Sequence, residues 1–125
     1  MPKKIRVLIV EDSLDMRAIL QSSLYYLAPD VEVIAAATDG FQGIRMTKHF
    51  QPDVVLMDVN LPGIDGISAT MTLQKETPRS KVILMSGEME PDHLQRSRIA
   101  GAHHVFTKPI DCDALISTIR TLHAN

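Results

Sequence analysis

The chain has 125 residues, 45% of them hydrophobic, and a formal charge of −2 at neutral pH. That length suits one domain burying about two-thirds of its unfolded surface without metal or disulfide staples, and the charge supplies no basic field of the kind that neutralises nucleic-acid phosphates. Cys112 is the only cysteine, so it reads as a small surface or helix-start residue, and an internal disulfide or a cysteine zinc cluster is excluded.

Met1-Pro2-Lys3-Lys4 leads straight into a short apolar run, Ile5 to Val10. That run is too short for a signal-peptide core or a membrane span, and a soluble cytoplasmic protein with no membrane contact is expected. Met16, Ile19, Leu20, Leu24 and Leu27 then recur at helical spacing until Pro29. A second strand is predicted over Val31 to Ala37. Asp39 and Gln42 form an Asp-x-x-Gln pattern that caps a helix running to about His49. Pro52 opens the approach to a third strand ending at Asp58. The turn Leu61-Pro62-Gly63 leads to Gly66 and a helix carrying Ile67, Met71 and Leu73 that stops near Pro78. A fourth strand starts at Lys81. Pro91 suits the first turn of a helix with Leu94 and Ile99 inward, ended by Gly101 in a left-handed conformation. His103 to Thr107 is the fifth strand. A last helix begins near Asp111 and repeats Leu115, Ile116, Ile119 and Leu122.

Apolar runs alternating with amphipathic stretches predict an α/β fold, a doubly wound five-stranded parallel sheet with helices on both faces. No linker or repeat divides residues 1–125, which are read as one domain. The strand ends carry the chemistry. Val7 to Val10 runs into Glu11-Asp12, Val54 to Met57 into Asp58, Val82 to Met85 into Ser86-Gly87, and Val105 to Thr107 into Lys108-Pro109. Each alone suits a turn or a cap. Side by side in a parallel sheet, they put three carboxylates, a hydroxyl and an ammonium on the rim where such sheets place their sites.

Carboxylates this close repel, and a divalent cation would keep them all ionised. Magnesium fits: it takes one or two carboxylates, a carbonyl and waters, and binds phosphate oxygens in its remaining positions. Asp12 and Asp58 are expected as direct ligands, Glu11 through water, and Asn60 through its main-chain carbonyl. Asp58 can then attack phosphorus and become an acyl phosphate. Lys108 would pair with one phosphoryl oxygen, and the Ser86 hydroxyl with the adjacent N–H would hold another. These are positioning and electrostatic roles, which dominate phosphoryl transfer.

As a set, Val7-Leu8-Ile9-Val10-Glu11-Asp12, Pro52 through Asp58, Leu61-Pro62-Gly63 with Asp65-Gly66, and Gly101-Ala102 through Lys108-Pro109 resemble the receiver domain of bacterial two-component response regulators over essentially the whole chain. The resemblance implies a flavodoxin-like (βα)5 fold with strand order 2-1-3-4-5. It implies Asp58 as phosphoacceptor, Glu11 and Asp12 as the acidic pair, Ser86 as the switch hydroxyl, Lys108 as the phosphoryl-binding lysine, and a cis Lys108-Pro109 bond. It also implies a sensor histidine kinase or phosphotransfer protein as donor, a downstream protein target, and self-dephosphorylation influenced by Asn60 and Glu88. A homodimer remains open.

One position departs from the family pattern. Three residues before the lysine, where the family usually has Tyr or Phe, this chain has Val105, and Phe106 points to the opposite face. The hydroxyl-to-aromatic relay is therefore in question. Ala102-His103-His104 also lacks the acidic residue usual in receivers joined to winged-helix DNA-binding domains. Three other readings compete. A haloacid dehalogenase-type phosphatase would need a second aspartate where Asn60 stands. An FMN binder would meet repulsion from Glu11-Asp12. A longer DNA-binding regulator could contain this chain as its receiver.

Overall fold

The computed structural model describes residues 3–87 and 90–124. Five strands, β1 (Ile5–Val10), β2 (Val31–Ala37), β3 (Val54–Asp58), β4 (Lys81–Ser86) and β5 (His104–Thr107), alternate with five helices, α1 (Leu14–Leu27), α2 (Gly40–Phe50), α3 (Gly66–Glu76), α4 (Pro91–Ala100) and α5 (Cys112–Ala124). All strand pairs are parallel and the order is β2-β1-β3-β4-β5, the expected flavodoxin-like sheet. Among the described residues no helix is long and apolar enough to cross a membrane.

Alternate residues of each strand serve opposite layers. Ile9, Leu56, Ile83 and Met85 pack with Leu20 and Leu24 of α1 and Leu115 and Ile119 of α5. Leu8, Val10, Val55, Met57 and Leu84 pack with Ile67 and Leu73 of α3 and Ala100 of α4. Every residue of β3 is buried, Asp58 included. A continuous apolar run signals this position, because a central parallel strand has no solvent face.

The helix starts follow the residues that cap them. Ser13 accepts from the N–H of Met16, Asp39 from Gln42 and Asp65 from Ser68, each such cap contributing about 1 kcal/mol. Gln42 differs from the expected reciprocal box: its Oε1 accepts from the N–H of Thr38, at 2.7 Å, rather than from that of Asp39. Pro91 opens α4, and Gly101 ends it at φ 105°, a conformation that glycine adopts freely.

Ile99, expected inward, is 75% exposed. Starting α4 at Pro91 turns His93, Ser97 and Ala100 toward the sheet, at i, i+4 and i+7, so Ile99 falls on the outer face. Ile19, Leu27 and Met71 are likewise exposed members of apolar repeats.

His103 extends the β4 ladder with its side chain. Its N–H donates to the carbonyl of Val82, and the Val82 N–H donates to His103 Nδ1 at 3.2 Å. That nitrogen must be unprotonated to accept. Burial first, and the Lys81 charge second, hold the ring below its usual 6.5. Below that value the unfolded chain takes up the proton more readily, so this contribution is full above 6.5 and is lost as pH falls through the folded value. Thermal unfolding from pH 7.5 to 5.5 should therefore show a smaller drop in Tm for His103→Gln than for the wild type; parallel curves would exclude the coupling.

Candidate functional site

The carboxyl ends of β1, β3, β4 and β5 form one rim. β3 lies between β1 and β4, so Asp58, the last residue of β3, comes within reach of groups from both sides. Oxygen atoms of Glu11, Asp12 and Asp58 all lie within 4.8 Å of one another. Glu11 and Asp58 are almost fully buried at 1% and 4% exposure, whereas Asp12 is exposed. A set of hard oxygens with one open side fits a magnesium ion that keeps several of its waters.

Lys108 answers the buried charge. Its Nζ donates to Asp58 Oδ2 at 2.9 Å and to Glu11 Oε1 at 3.2 Å. The Lys108-Pro109 bond is cis, as expected. The other oxygens are engaged too: Asp58 Oδ1 accepts from the N–H of Asn60, and Glu11 Oε2 from that of Ser13. Burial pushes the Glu11 carboxyl above its usual range, and the Asp58 charge adds to it, against the pull of the Ser13 N–H and Lys108. For Lys108 burial acts downward, but the hydrogen bond and charge of Asp58, then of Glu11, outweigh it and raise the ammonium.

Glycine is required beneath Asp58. A Cβ on Gly66 would stand 2.3 Å from the Asp58 carbonyl oxygen and 2.8 Å from Val59 Cα. Both contacts are backbone, so neither can move aside cheaply, and the start of α3 is fixed against the strand end. Gly66→Ala should lose about 1–3 kcal/mol of stability, read by urea denaturation, and should perturb the amide signals of Asp58 and Asn60. A stability within error of the wild type would show that α3 can back away.

The structure brings Glu11, Asp12, Asp58 and Lys108 together, as their places at the strand ends predict. Asn60 follows β3 in an exposed position, its N–H on the Asp58 carboxylate. Ser86 ends β4, buried, with Oγ 3.1 Å from His93 Nε2. Glu88, proposed to influence dephosphorylation, lies outside the described residues.

Two contributors escaped the reading. Arg17 of α1 reaches back and donates to the main-chain carbonyls of Glu11 at 2.8 Å and Asp12 at 3.2 Å, bracing the acidic loop. His93 was the other. Its signal was the parity of Ser86 with Val82 and Leu84, which turns the hydroxyl toward α4, combined with a helix start fixed by Pro91.

Residues 7–120 match the response regulator receiver domain family. The chain is 34% identical over 116 residues to the transcriptional regulatory protein LiaR of Bacillus subtilis, covering 93% of this chain and 54% of that protein. It is 42% identical over 110 residues to a protein-glutamate methylesterase/protein-glutamine glutaminase of Dechloromonas aromatica, covering 87% of this chain and 31% of that one. The chain thus spans about half or less of the length of these curated relatives. The signal receiver domain of the response regulator NarL from Mycobacterium tuberculosis superposes with a TM-score of 0.93 at 25% identity, covering 99% of each chain.

Proposed function

This chain belongs to the response regulator receiver domain family, and from that premise we propose that residues 1–125 are a single receiver that accepts a phosphoryl group on Asp58 from a histidine kinase or phosphotransfer protein. The observation that carries the reading is the Lys108 ammonium 2.9 Å from Asp58 Oδ2, within a rim where the Glu11, Asp12 and Asp58 oxygens cluster.

Asp58 attacks the phosphorus of a phosphoimidazole; the new O–P bond forms as the N–P bond breaks, and the imidazole leaves. Lys108 then exchanges its bond to the free carboxylate for one to a phosphoryl oxygen. Ser86 supplies a hydroxyl to a second oxygen, and the Asn60 N–H keeps the carboxylate oriented. Asp12 and Asp58, with Glu11 through water and the Asn60 carbonyl, would hold magnesium, which when bound neutralises the carboxylates and draws phosphoryl oxygens toward them. Water attack on the same phosphorus, oriented by Asn60, breaks the O–P bond to Asp58, releases inorganic phosphate and returns Asp58 to its free carboxylate.

The output we assign is contact with a downstream protein target, because a net charge of −2 gives no field for holding nucleic acid. A cytoplasmic location follows from a cytoplasmic kinase module as donor. The test is labelling with acetyl phosphate, with and without magnesium, in wild type and Asp58→Asn. Magnesium-dependent incorporation lost in Asp58→Asn is the expected result. Incorporation retained in Asp58→Asn, or catalytic release of phosphate from small phosphomonoesters, would overturn the proposal in favour of another residue or a phosphatase.

A further inference from the structure

Ser86 closes β4 on the face of Val82 and Leu84, which pack toward the layer of α3 and α4. His93, in the first turn of α4, meets it there: Ser86 Oγ and His93 Nε2 are 3.1 Å apart. His93 stands on the inner stripe of α4 with Ser97 and Ala100, both buried, and its carbonyl accepts from Ser97 Oγ at 3.0 Å. The imidazole thus belongs to a helix turn seated on the sheet. On β5, Val105 offers only a small side chain, packed with the second core layer.

Resting on the phosphoacceptor role of Asp58, we propose that His93 is a positioning residue that holds the Ser86 hydroxyl on the α4 side in the resting domain and yields it when Asp58 is phosphorylated, so that the start of α4 reports the phosphoryl group. A serine hydroxyl carries one proton to donate. Given to His93 Nε2, it is withheld from the phosphoryl oxygen; given to the phosphoryl oxygen, it is lost to His93. The charged acceptor wins, because charge-assisted hydrogen bonds are about twice as strong as neutral ones. His93 then accepts in its Nδ1–H form and loses this hydrogen bond once Ser86 turns away, which repositions the first turn of α4. The exchange needs no ring on β5.

Beryllofluoride with magnesium, a phosphoryl mimic, tests the exchange on the full chain. In the resting wild type, long-range proton–nitrogen spectra should show Nε2 of His93 unprotonated, and its signal should move when the adduct forms. His93→Leu should bind beryllofluoride roughly two- to tenfold more tightly, since the Ser86–His93 hydrogen bond no longer has to be given up, while His93→Gln should stay within about twofold of wild type. The gain should vanish when Ser86→Ala is already present. A protonated Nε2 in the resting domain, unchanged or weaker binding by His93→Leu, or an equal gain without the serine hydroxyl would overturn the exchange alone. Failure of the wild type to form any adduct, read by fluorine spectra, or an adduct retained in Asp58→Asn, would overturn the phosphoacceptor reading and the exchange with it.

Discussion

Lys108→Met should lower the stability of the folded domain by about 2–4 kcal/mol at neutral pH. Asp58 and Glu11 are buried at 4% and 1% exposure, and the Lys108 ammonium holds both. Removing one partner of a buried pair leaves a charge without compensation, which costs about 3–5 kcal/mol when both partners are buried. Lys108 keeps some contact with water, which places the loss toward the lower half. The loss should also shrink on acidification. Glu11 already sits above its unfolded 4.5 in the wild type, so the folded state binds its proton more readily than the unfolded state. Its contribution therefore falls as pH rises through the folded value, and it is recovered as pH drops toward 4.5. Without Lys108 that upward shift grows. Urea unfolding at pH 7.5 and pH 5.5 should show the variant closing on the wild type at the lower pH, and adding Asp58→Asn should restore much of the stability at pH 7.5. A loss independent of pH and of Asp58 would point to lost side-chain packing instead.

Much of the fold could be read from the sequence because a parallel sheet covered on both faces writes its strands as unbroken apolar runs. Val54 to Met57 and Val82 to Met85 are buried throughout, as such runs predict. Helix faces were harder. Ile19, Met71 and Ile99 share the spacing of core residues yet face solvent, since a few degrees of helix rotation decide which flank of an apolar stripe is covered. The rim was legible for a related reason: strand ends in a parallel sheet must lie together, so Glu11, Asp12, Asp58 and Lys108 converge once the strand order is known. His93 and Arg17 reach their partners from helices, and their contacts depend on helix rotation and side-chain reach rather than on strand order. Strand order alone reveals neither contact.

Asp12→Ala should lower magnesium-dependent labelling by at least about a hundredfold, the loss seen when one preorganised electrostatic group is removed from a transition state, while leaving the fold intact. Asp12 can be separated from the fold because its carboxylate is exposed and its loop is held through main-chain atoms: Arg17 grips the carbonyls of Glu11 and Asp12, and Glu11 accepts from the Ser13 N–H. An alanine there keeps all of these bonds. It removes the carboxylate on the open side of the cluster, leaving Glu11 and Asp58, whose oxygens Lys108 already engages. Magnesium binding should weaken accordingly, and this has its own readout. At ten times its Kd a ligand stabilises the native state by about 1.4 kcal/mol, a rise of roughly 5 °C in Tm for a domain of this size; the wild type should show such a rise with magnesium and Asp12→Ala should not. The two measurements separate the roles of the residue. A lost thermal shift with unchanged labelling would keep Asp12 as a metal ligand but remove that ion from the phosphoryl transfer. Both unchanged would remove Asp12 from the site, and the acidic cluster would then be only a strand-end turn.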